Sequence, residues 1–594
     1  MNIRRLLLLS AVAVVLGFAG GGAAWVLLHL ISGITNVTLF GKWSWAGPQF
    51  AHLHVGPQLF VAAVLGAVAI SLLAKWSPVI RGHGIPEAME AVLTRQSRIA
   101  PRAAVAKPLS AAIAIGTGAP FGAEGPIIVT GGSLGSLIGQ VLPVSPAERK
   151  ILLASGAAAG MAATFGAPLA SVVLAIELLL FEFSTRAFVP LVISAAIAAG
   201  MHSLLYGQGP LFRVPPHDYA GLPALPAFVA LGVGAGLLAV VITRGLFLIE
   251  GWYRRLPVGE FWHPVIGALG FAVIGLAVPR ALGVGYDAIG DVLATKLAVA
   301  TVALLAGAKL VAWWIALGSG TSGGTLAPIL LISAGYGSLF GSAVHELFPH
   351  LAARPGAFAL VAMAATFGAA TRATFTSIVF VFELTRDYQV MLPLMLATVV
   401  ADLFAGTILR DSIMTEKLTR RGLRVHTDYE VDVLRTLRVR DLMTREVESL
   451  PAKATVADAR AALAHGTHGA YPLADDDGTC LGMVTRGDLL RIGSADDEPL
   501  LDHASKELVG VAPDDLAFAA LEHILDEGVV HIPVLEDGKL VGICTRTDIL
   551  RARERQLELE RAQPGWRRNH RTGPVPVRVR RAPDDADERG AESR

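Results

Sequence analysis

Long apolar runs dominate the first two thirds of the chain. From residue 1 to about residue 408, only short polar interruptions separate them. The longest runs cover residues 5–31, 54–76, 188–206, 225–249, 263–279 and 296–317. A helix needs roughly 20 apolar residues to span a bilayer, and these runs approach or exceed that length. The pattern predicts an α-helical, polytopic membrane domain over residues 1–410.

The chain becomes polar after this region. Residues 411–437 are rich in Lys and Arg, which predicts a linker. A basic flank after the last span favours a cytoplasmic location for the segment that follows. From residue 438 to about residue 555, short β-rich runs alternate with Ala- and Leu-rich helical runs. This alternation predicts a soluble, cytoplasmic α/β module.

The α/β module contains a repeat. The stretch LGMVTRGDLLR at 481–491 returns as VGICTRTDILR at 541–551. Two copies sixty residues apart predict two similar units packed together, over residues 438–495 and 496–555. Residues 556–594 are rich in Arg, Pro and acidic side chains and poor in large apolar ones, which predicts a disordered tail.

Composition and charge change this picture little. The formal net charge is only +1, which does not indicate nucleic acid as a partner. The two cysteines, Cys480 and Cys544, lie in the C-terminal part and are expected at matching buried strand positions rather than in a disulfide. The sequence offers no metal-ligand cluster and no nucleophile with a base at usable spacing, so neither an enzyme nor a metal site is expected.

The membrane half also repeats. The stretch GAPLASVVLAIEL at 166–178 is similar to RATFTSIVFVFEL at 372–384, and GAEGPII at 122–128 has a partner in TLAPIL at 325–330. The offsets of 206 and 202 residues nearly agree, so one duplicated block explains both pairs. Transporters built from inverted repeats place their substrate site where broken helices of the two halves meet. Glu124 lies at such a break.

Three Gly- and Pro-rich breaks interrupt the apolar sequence. They are RGHGIPEAME from residue 81, GAPFGAEGPII from residue 118 and GSGTSGGTLAPIL from residue 318. Broken backbone is tolerated at membrane depth only where protein buries it or where it lines a cavity. Helix ends at these breaks would expose free N–H groups, which together with the helix dipole favour an anion. Glycine lets the backbone approach such an ion closely.

These motifs resemble those of the CLC family of voltage-gated chloride channels and transporters with C-terminal tandem CBS domains, over about residues 1–555. GHGIP is similar to the family's GSGIP, GAEGP to its G(K/R)EGP and GGTLAP to its GxFxP. The resemblance implies a CLC-type fold with an internal inverted repeat. It implies a homodimer in a bacterial inner membrane, with one pathway per subunit for chloride or another small anion and with cytoplasmic CBS domains.

The resemblance also implies residue roles. Glu124 falls on the gating glutamate, whose carboxylate competes with anions at a helix N-terminus. The implied anion-binding residues are His83, Gly84, Ile85, Ala123, Gly125, Thr325, Leu326 and Met414. His83 and Met414 stand where the family has serine and tyrosine, and a thioether cannot donate a hydrogen bond. Protonation of His83 would make anion occupancy depend on pH, unless its ring turns away and only the neighbouring amides bind.

The coupling mode depends on a second glutamate in this family. Its proton-transfer position is occupied by Leu178, and Glu177 lies on the acidic position next to it. Because leucine cannot carry a proton, the sequence favours a passive, glutamate-gated anion channel with no proton-relay residue. The alternative is a proton-coupled chloride antiporter in which Glu177 or His83 substitutes. Glu177 and its repeat counterpart Glu383 are expected to cap or brace helices.

The CBS pair carries a possible nucleotide site. The TRGD and TRTD stretches, which place Thr485 with Asp488 and Thr545 with Asp548, resemble the CBS pattern; the resemblance implies that the hydroxyl meets phosphate and the carboxylate bonds a ribose diol. The alternative is that each Asp only caps the following helix. No cofactor is expected to be required, and ATP, ADP or AMP is the possible ligand.

A CBS-regulated divalent-cation transporter is a rival from another class. It predicts acidic residues clustered within the spans, whereas this membrane half offers glycine-rich amide sites and few buried carboxylates.

Overall fold

The computed structural model divides the chain into two compact units, Met1–Tyr429 and Glu430–Arg594, here called the membrane unit and the C-terminal unit. The structure describes residues 3–50, 53, 55–212, 219, 221–351, 354–423, 434, 437–465, 469–492, 496–505 and 508–561.

The membrane unit is all helical. Its helices are α1 (Ile3–Phe40), α2 (Pro57–Trp76), α3 (Ile85–Thr94), α4 (Pro101–Gly116), α5 (Glu124–Val141), α6 (Pro146–Phe165), α7 (Pro168–Ala175), α8 (Thr185–Tyr206), α9 (Leu225–Tyr253), α10 (His263–Ala277), α11 (Tyr286–Leu293), α12 (Val299–Gly318), α13 (Leu326–Leu347), α14 (Pro355–Thr371), α15 (Thr374–Thr385), α16 (Met391–Ile408) and α17 (Glu416–Arg420). Seven helices of the described chain are long and apolar enough to cross a membrane. The prediction of a polytopic helical domain is confirmed.

The helices differ in how much of their surface is buried. Nearly all residues of α14 and most of those of α5, α6 and α13 are buried, and these helices carry few charged side chains. Helices α1, α8 and α16 instead leave apolar side chains such as Phe18, Leu204 and Leu403 exposed. A helix that is apolar on all sides is stable inside a large core or against lipid. The central helices therefore form the core, and the exposed apolar faces are those available to lipid.

The duplicated block forms two similar structures. Helices α6 and α14 both end at a residue in the left-handed conformation, Gly166 and Arg372, which lie 206 residues apart. Short helices α7 and α15 follow in each copy, starting at Pro168 and Thr374. Because each copy turns at the same place, the two halves present equivalent helix ends to the centre of the unit.

One face of the membrane unit is defined by a set of polar contacts. Four pairs contribute to it: Arg5 with Glu148, Arg186 with Glu148, Arg149 with Gln96, and Arg421 with Glu90. We call this the basic face. Helix α8 begins there with Arg186 in its first turn, and its 22 residues rise about 33 Å. Its end at Tyr206 therefore lies on the opposite face.

The C-terminal unit combines strands and helices. Its elements are β1 (Leu450–Pro451), α18 (Val456–His465), β2 (Ala470–Ala474), β3 (Cys480–Thr485), α19 (Arg486–Arg491), α20 (Ala517–Asp526), β4 (His531–Glu536), β5 (Lys539–Thr545) and α21 (Arg546–Arg561). Strand β2 pairs in parallel with β1 and antiparallel with β3, and β4 pairs antiparallel with β5. Two separate apolar clusters form its cores. The predicted α/β module is confirmed.

Two sequence expectations differ from the structure at their edges. Helix α17 belongs to the membrane unit, which extends to Tyr429, although residues 411–437 were expected to be a linker. Residues 556–561 continue helix α21, although the tail was expected to be disordered from 556. The remaining tail, residues 562–594, lies outside the described residues.

The expectation that the two cysteines are equivalent is wrong. Cys480 is the first residue of β3, whereas Cys544 is the penultimate residue of β5. When the two copies of the sixty-residue repeat are aligned, Cys544 corresponds to Val484 and not to Cys480. Both thiols are buried and free in the described structure, as expected. Burial raises the pKa of the Cys544 thiol to about 12, so the thiolate needed for reactivity is not formed at neutral pH.

Candidate anion pathway

The three predicted breaks meet through their backbones. Gly122 and Gly324 form an antiparallel bridge, with the Gly324 N–H donating to the Gly122 carbonyl at 2.9 Å and the Gly122 N–H donating to the Gly324 carbonyl at 3.4 Å. Gly82 forms a parallel bridge with Ser322. The helices that follow these breaks, α3, α5 and α13, therefore begin close together.

Glu124 is the first residue of α5, and only 2% of it is exposed. Its Oε1 accepts a hydrogen bond from the Tyr286 hydroxyl at 3.1 Å. Its Oε2 makes no hydrogen bond of normal geometry within the described structure. The N–H groups of Glu124 and Ala327 and the ammonium of Lys309 lie close enough to stabilise the carboxylate electrostatically. A carboxyl group thus occupies the junction of the broken helices.

Two glycines make room for this carboxylate. A Cβ atom at Gly122 would lie 1.8 Å from Glu124 Oε2, and a Cβ atom at Gly324 would lie 2.3 Å from the same oxygen. Both distances are far below a van der Waals contact, so any side chain at either position would displace the carboxylate. The bridge between the two breaks therefore also forms the surface on which Glu124 rests.

A narrow cavity of about 10 Å³ adjoins Glu124, the size for roughly one water molecule. Six of the residues predicted from the sequence line it, namely Ile85, Glu124, Gly125, Thr325, Leu326 and Met414. Four apolar residues complete the lining, namely Ile128, Met161, Leu174 and Phe367. Thr325 alone among these lining residues carries a hydroxyl. Sequence reasoning considered only its amide and missed this side chain.

His83, Gly84 and Ala123 are not among the residues that line this cavity. Gly84 precedes α3 with a φ of 99°, and Ala123 precedes α5. The His83 ring is 1% exposed, and neither of its nitrogens makes a hydrogen bond of normal geometry within the described structure. The ammonium groups of Lys107 and Lys417 act on the ring electrostatically. His83 therefore lies at the first break, beside the central cavity rather than on its wall.

Glu177 and Glu383 cap each other's helices across the repeat. The Glu177 carboxylate accepts from the backbone N–H groups of Phe375 and Thr376 at 3.3 and 2.9 Å, at the start of α15. The Glu383 carboxylate accepts from the N–H groups of Leu169 and Ala170 at 3.1 and 2.8 Å, at the start of α7. Each carboxylate satisfies free N–H groups at a helix N-terminus. Leu178 is buried in the π-helical turn Ile176–Leu180, next to Glu177.

Two buried lysines were missed by the sequence analysis. Lys107 Nζ donates to the carbonyls of Ile80 and Gly82, each at 2.8 Å. Lys309 Nζ donates to the carbonyls of Gly283 and Val284 at 2.6 and 3.4 Å. The two lysines lie 202 residues apart, the offset of the repeat, and each binds the backbone just before a short helix. That spacing is the signal that could have identified them.

The Gly283–Gly285 segment is a fourth break, which sequence reasoning also missed. It reads GVGYDAIG from residue 283 and corresponds to GHGIPEAM from residue 82. Gly283 and Gly285 have φ values of 59° and 88°, and Gly82 and Gly84 have φ values of 95° and 99°. Helix α11 begins after the second glycine as α3 does. Each repeat therefore contains two breaks.

The predicted nucleotide residues form helix caps. The Thr485 N–H and hydroxyl both donate to Asp488 Oδ2, at 2.9 and 2.7 Å. Thr545 and Asp548 repeat this geometry, at 2.9 and 2.6 Å. Thr455 and Asp458 form the same cap at α18. These hydrogen bonds lower the pKa of the Asp458 carboxyl. The capping role weighed in the sequence analysis is therefore present, and each Asp keeps a second oxygen.

Comparison with known proteins agrees with this arrangement of broken helices. A family model described as "voltage gated chloride channel" matches residues 65–406, which is more than half of the chain. The chain belongs to this family. CBS domain models match residues 439–495 and 501–555. The family resemblance inferred from the motifs is confirmed.

Individual relatives share the membrane region or more. The chain is 32% identical over 384 residues to the H(+)/Cl(-) exchange transporter ClcA of Salmonella agona, across 61% of this chain and 80% of that protein. It is 26% identical over 612 residues to the chloride channel protein CLC-f of Arabidopsis thaliana, across 87% of this chain and 76% of that protein. A crystal structure of a slow cyanobacterial Cl-/H+ antiporter covers 70% of this chain and 97% of its own, with 26% identity and a TM-score of 0.61.

Substitution of the two capping glutamates tests whether Glu177 only stabilises a helix end or also carries protons. Glu177→Gln and Glu383→Gln should each lower the free energy of unfolding by about 1 kcal/mol, because an amide places one acceptor and no charge at the helix N-terminus. Thermal unfolding in detergent measures this change. The two variants should have equal, near-wild-type transport rates. A loss of proton movement in Glu177→Gln alone would show that Glu177 carries protons.

Proposed function

We propose that the protein exchanges chloride for protons across the membrane. The observation that carries the proposal is the position of Glu124, whose carboxylate adjoins the central cavity on one side and Tyr286 on the other. One ionisable group is therefore available both to an anion and to a proton. The relatives named as H+/Cl- exchangers, ClcA and the cyanobacterial antiporter, support exchange over the passive channel favoured by Leu178 alone.

The anion site in this proposal is made mainly of backbone. Ionised Glu124 rests at the N-terminus of α5, close to that of α13, where it occupies the place that the N–H groups would offer chloride. The proposed anion contacts are the predicted residues that line the cavity, namely Ile85, Gly125, Thr325, Leu326 and Met414, whereas His83, Gly84 and Ala123 lie beside it. Thr325 supplies the hydroxyl that Met414 lacks.

Competition between the carboxylate and chloride provides the coupling. While ionised, Glu124 holds the site and excludes the anion. Protonation removes the negative charge, so the side chain no longer mimics an anion and chloride enters in its place. Release of the proton on one side and of chloride on the other completes one exchange. Each step uses side chains of this chain and requires no cofactor.

Leu178 is the specific observation that favours a passive anion channel as the second candidate. A leucine cannot relay a proton between Glu124 and the basic face. Under the exchange proposal another group must do so, and His83 is supported by its burial and by its two ring nitrogens without hydrogen bonds of normal geometry in the described structure. Its neighbours Lys107 and Lys417 are the cationic groups that would oppose its protonation.

Orientation and assembly belong to the same proposal. The basic face collects Arg5, Arg149, Arg186 and Arg421, and positive residues are enriched on the cytoplasmic side of membrane proteins. We therefore assign the basic face, and the CBS domains that follow it in the sequence, to the cytoplasm of a bacterial inner membrane. A homodimer with one pathway per subunit rests on the family resemblance, and adenine nucleotide is the ligand proposed for the CBS pair.

Coupling is tested in liposomes that contain the purified protein. An outward chloride gradient, with valinomycin clamping the potential, should drive protons inward against their gradient and make the medium alkaline. Chloride, nitrate and fluoride are compared, and liposomes without protein give the background. Chloride efflux without proton movement would replace exchange by the passive channel, and retention of chloride would contradict both candidates.

Substitution of Glu124 tests the gate. Glu124→Gln mimics the protonated side chain, and Glu124→Ala removes it. Both should keep chloride flux at least as fast as wild type, flatten its pH dependence and abolish coupled proton movement, because the group that links the two ions no longer ionises. Glu383→Gln serves as the control for loss of a partly buried carboxylate in the same unit. A folded Glu124→Ala protein without chloride flux would make the carboxylate a required ligand instead.

Nucleotide binding is tested with the capping aspartates. Asp488→Ala with Asp548→Ala should weaken binding of ATP, ADP or AMP by about tenfold or more, since each removes a charged acceptor worth roughly 1.5–3 kcal/mol. Asp458→Ala is the matched control, because it removes the same Thr–Asp cap from α18. Calorimetry on the full chain gives the affinities. Equal affinities in the double variant and wild type would place the ligand elsewhere.

A further inference from the structure

Tyr286 occupies a special position in the second repeat. It is the first residue of α11, directly after the fourth break, where the first repeat has Ile85 at the start of α3. Lys309 holds the carbonyls before α11 as Lys107 holds those before α3. The two copies thus share a backbone arrangement and differ in the side chain that the helix start presents. An aliphatic side chain in one copy is replaced by a hydroxyl donor in the other.

The Tyr286 ring is fixed by other aromatic rings. Phe165 and Phe212 contact it edge-on, with ring centroids 6.3 and 6.2 Å away and interplanar angles of 72° and 71°. Phe165 is itself packed edge-on against Phe380 at 5.1 Å. Edge-to-face packing of this kind sets both the position and the tilt of a ring. The hydroxyl is therefore held in place beside Glu124 rather than reaching it by chance rotation.

Tyr286 also lines a second, larger cavity. This cavity measures about 570 Å³ and lies on the face opposite the basic face, at the end of α8. Its lining includes Thr164 and the titratable side chains His29, His202 and Tyr206. Tyr286 therefore stands between an open cavity and the buried carboxylate.

We propose that Tyr286 is a positioning residue that latches the ionised Glu124 carboxylate in its blocking position and releases it toward the larger cavity when Glu124 is protonated. The hydroxyl donates to Glu124 Oε1 at 3.1 Å, and a donor of this kind favours the charged form of a carboxylate. Lys309 favours the charged form as well, and Asp287 and Arg280 pair nearby at 3.8 Å. The proposal rests on Glu124 being the gate, as argued above.

The latch predicts the direction of a pH shift. Loss of the donor makes the ionised carboxylate less stable in its place, so Glu124 binds a proton at higher pH and the pathway opens at higher pH. A hydrogen bond to a charged group corresponds to a shift of about one to two pH units. Tyr286→Phe should therefore move the midpoint of pH-dependent chloride flux upward by about one to two units.

Chloride efflux is measured for wild type and Tyr286→Phe at equal internal and external pH. The pH runs from about 4 to about 9, the range in which a buried carboxyl group titrates. Tyr336→Phe is the matched control, because its hydroxyl meets the Leu231 carbonyl at 3.5 Å within the same unit. The control should keep the wild-type midpoint. In a Glu124→Gln background, Tyr286→Phe should change nothing, since the group that it positions no longer ionises.

An unchanged midpoint in folded Tyr286→Phe overturns the latch, as does a shift of the same size in the Glu124→Gln background. If Tyr286→Phe does not fold, Glu124→Asp tests the same contact, because the shorter side chain withdraws the carboxylate from the hydroxyl. It should shift the midpoint upward, and an unchanged midpoint contradicts the latch. Chloride flux without proton coupling would defeat the exchange proposal alone, because the midpoint is still measured. Absence of chloride flux in wild type would overturn both.

Discussion

The arrangement of the membrane unit depends on keeping one carboxylate in an apolar surrounding. An isolated ionised group in a protein interior is strongly unfavourable unless charges and hydrogen bonds compensate it. Here the compensation comes from several directions, through the helix start at Glu124, the hydroxyl of Tyr286 and the ammonium of Lys309. None of these groups belongs to the same helix as another. These compensating groups meet at the Glu124 carboxylate because of three features of the fold, namely the four breaks, the buried lysines and the close backbone contacts.

The sequence indicates the backbone of this site well and its side-chain neighbours poorly. Glycine and proline motifs report where helices begin, and five of the residues chosen on that basis line the cavity, together with Met414, which was chosen from the family resemblance. The direction of a side chain is set by tertiary packing, so the sequence left open whether the His83 ring faces the pathway. Tyr286 reaches Glu124 from 162 residues away along the chain, and an isolated tyrosine in an apolar region carries no local signal of that contact.

The same difference applies to the acidic pair Glu177, just after α7, and Glu383, on α15. The repeat made Glu177 and Glu383 equivalent, and a carboxylate that contacts a helix N-terminus stabilises its free N–H groups. Only the fold shows that each caps the helix of the other copy rather than its own. This exchange ties the two copies together at a second place. In the C-terminal unit the caps are local, three residues apart, and so the pattern in the sequence was sufficient to raise the capping alternative.

The bridge between Gly122 and Gly324 limits how the molecule moves. The two repeats share a pair of backbone hydrogen bonds beside Glu124, and rocking one repeat against the other would break both in an environment without water to replace them. In the proposed exchange, access to the site would therefore change by rotation of side chains over a few ångströms, within a scaffold that stays still. A transporter of this construction would resemble a rigid channel in its backbone, so that exchange and passive conduction would differ only in the movements of side chains.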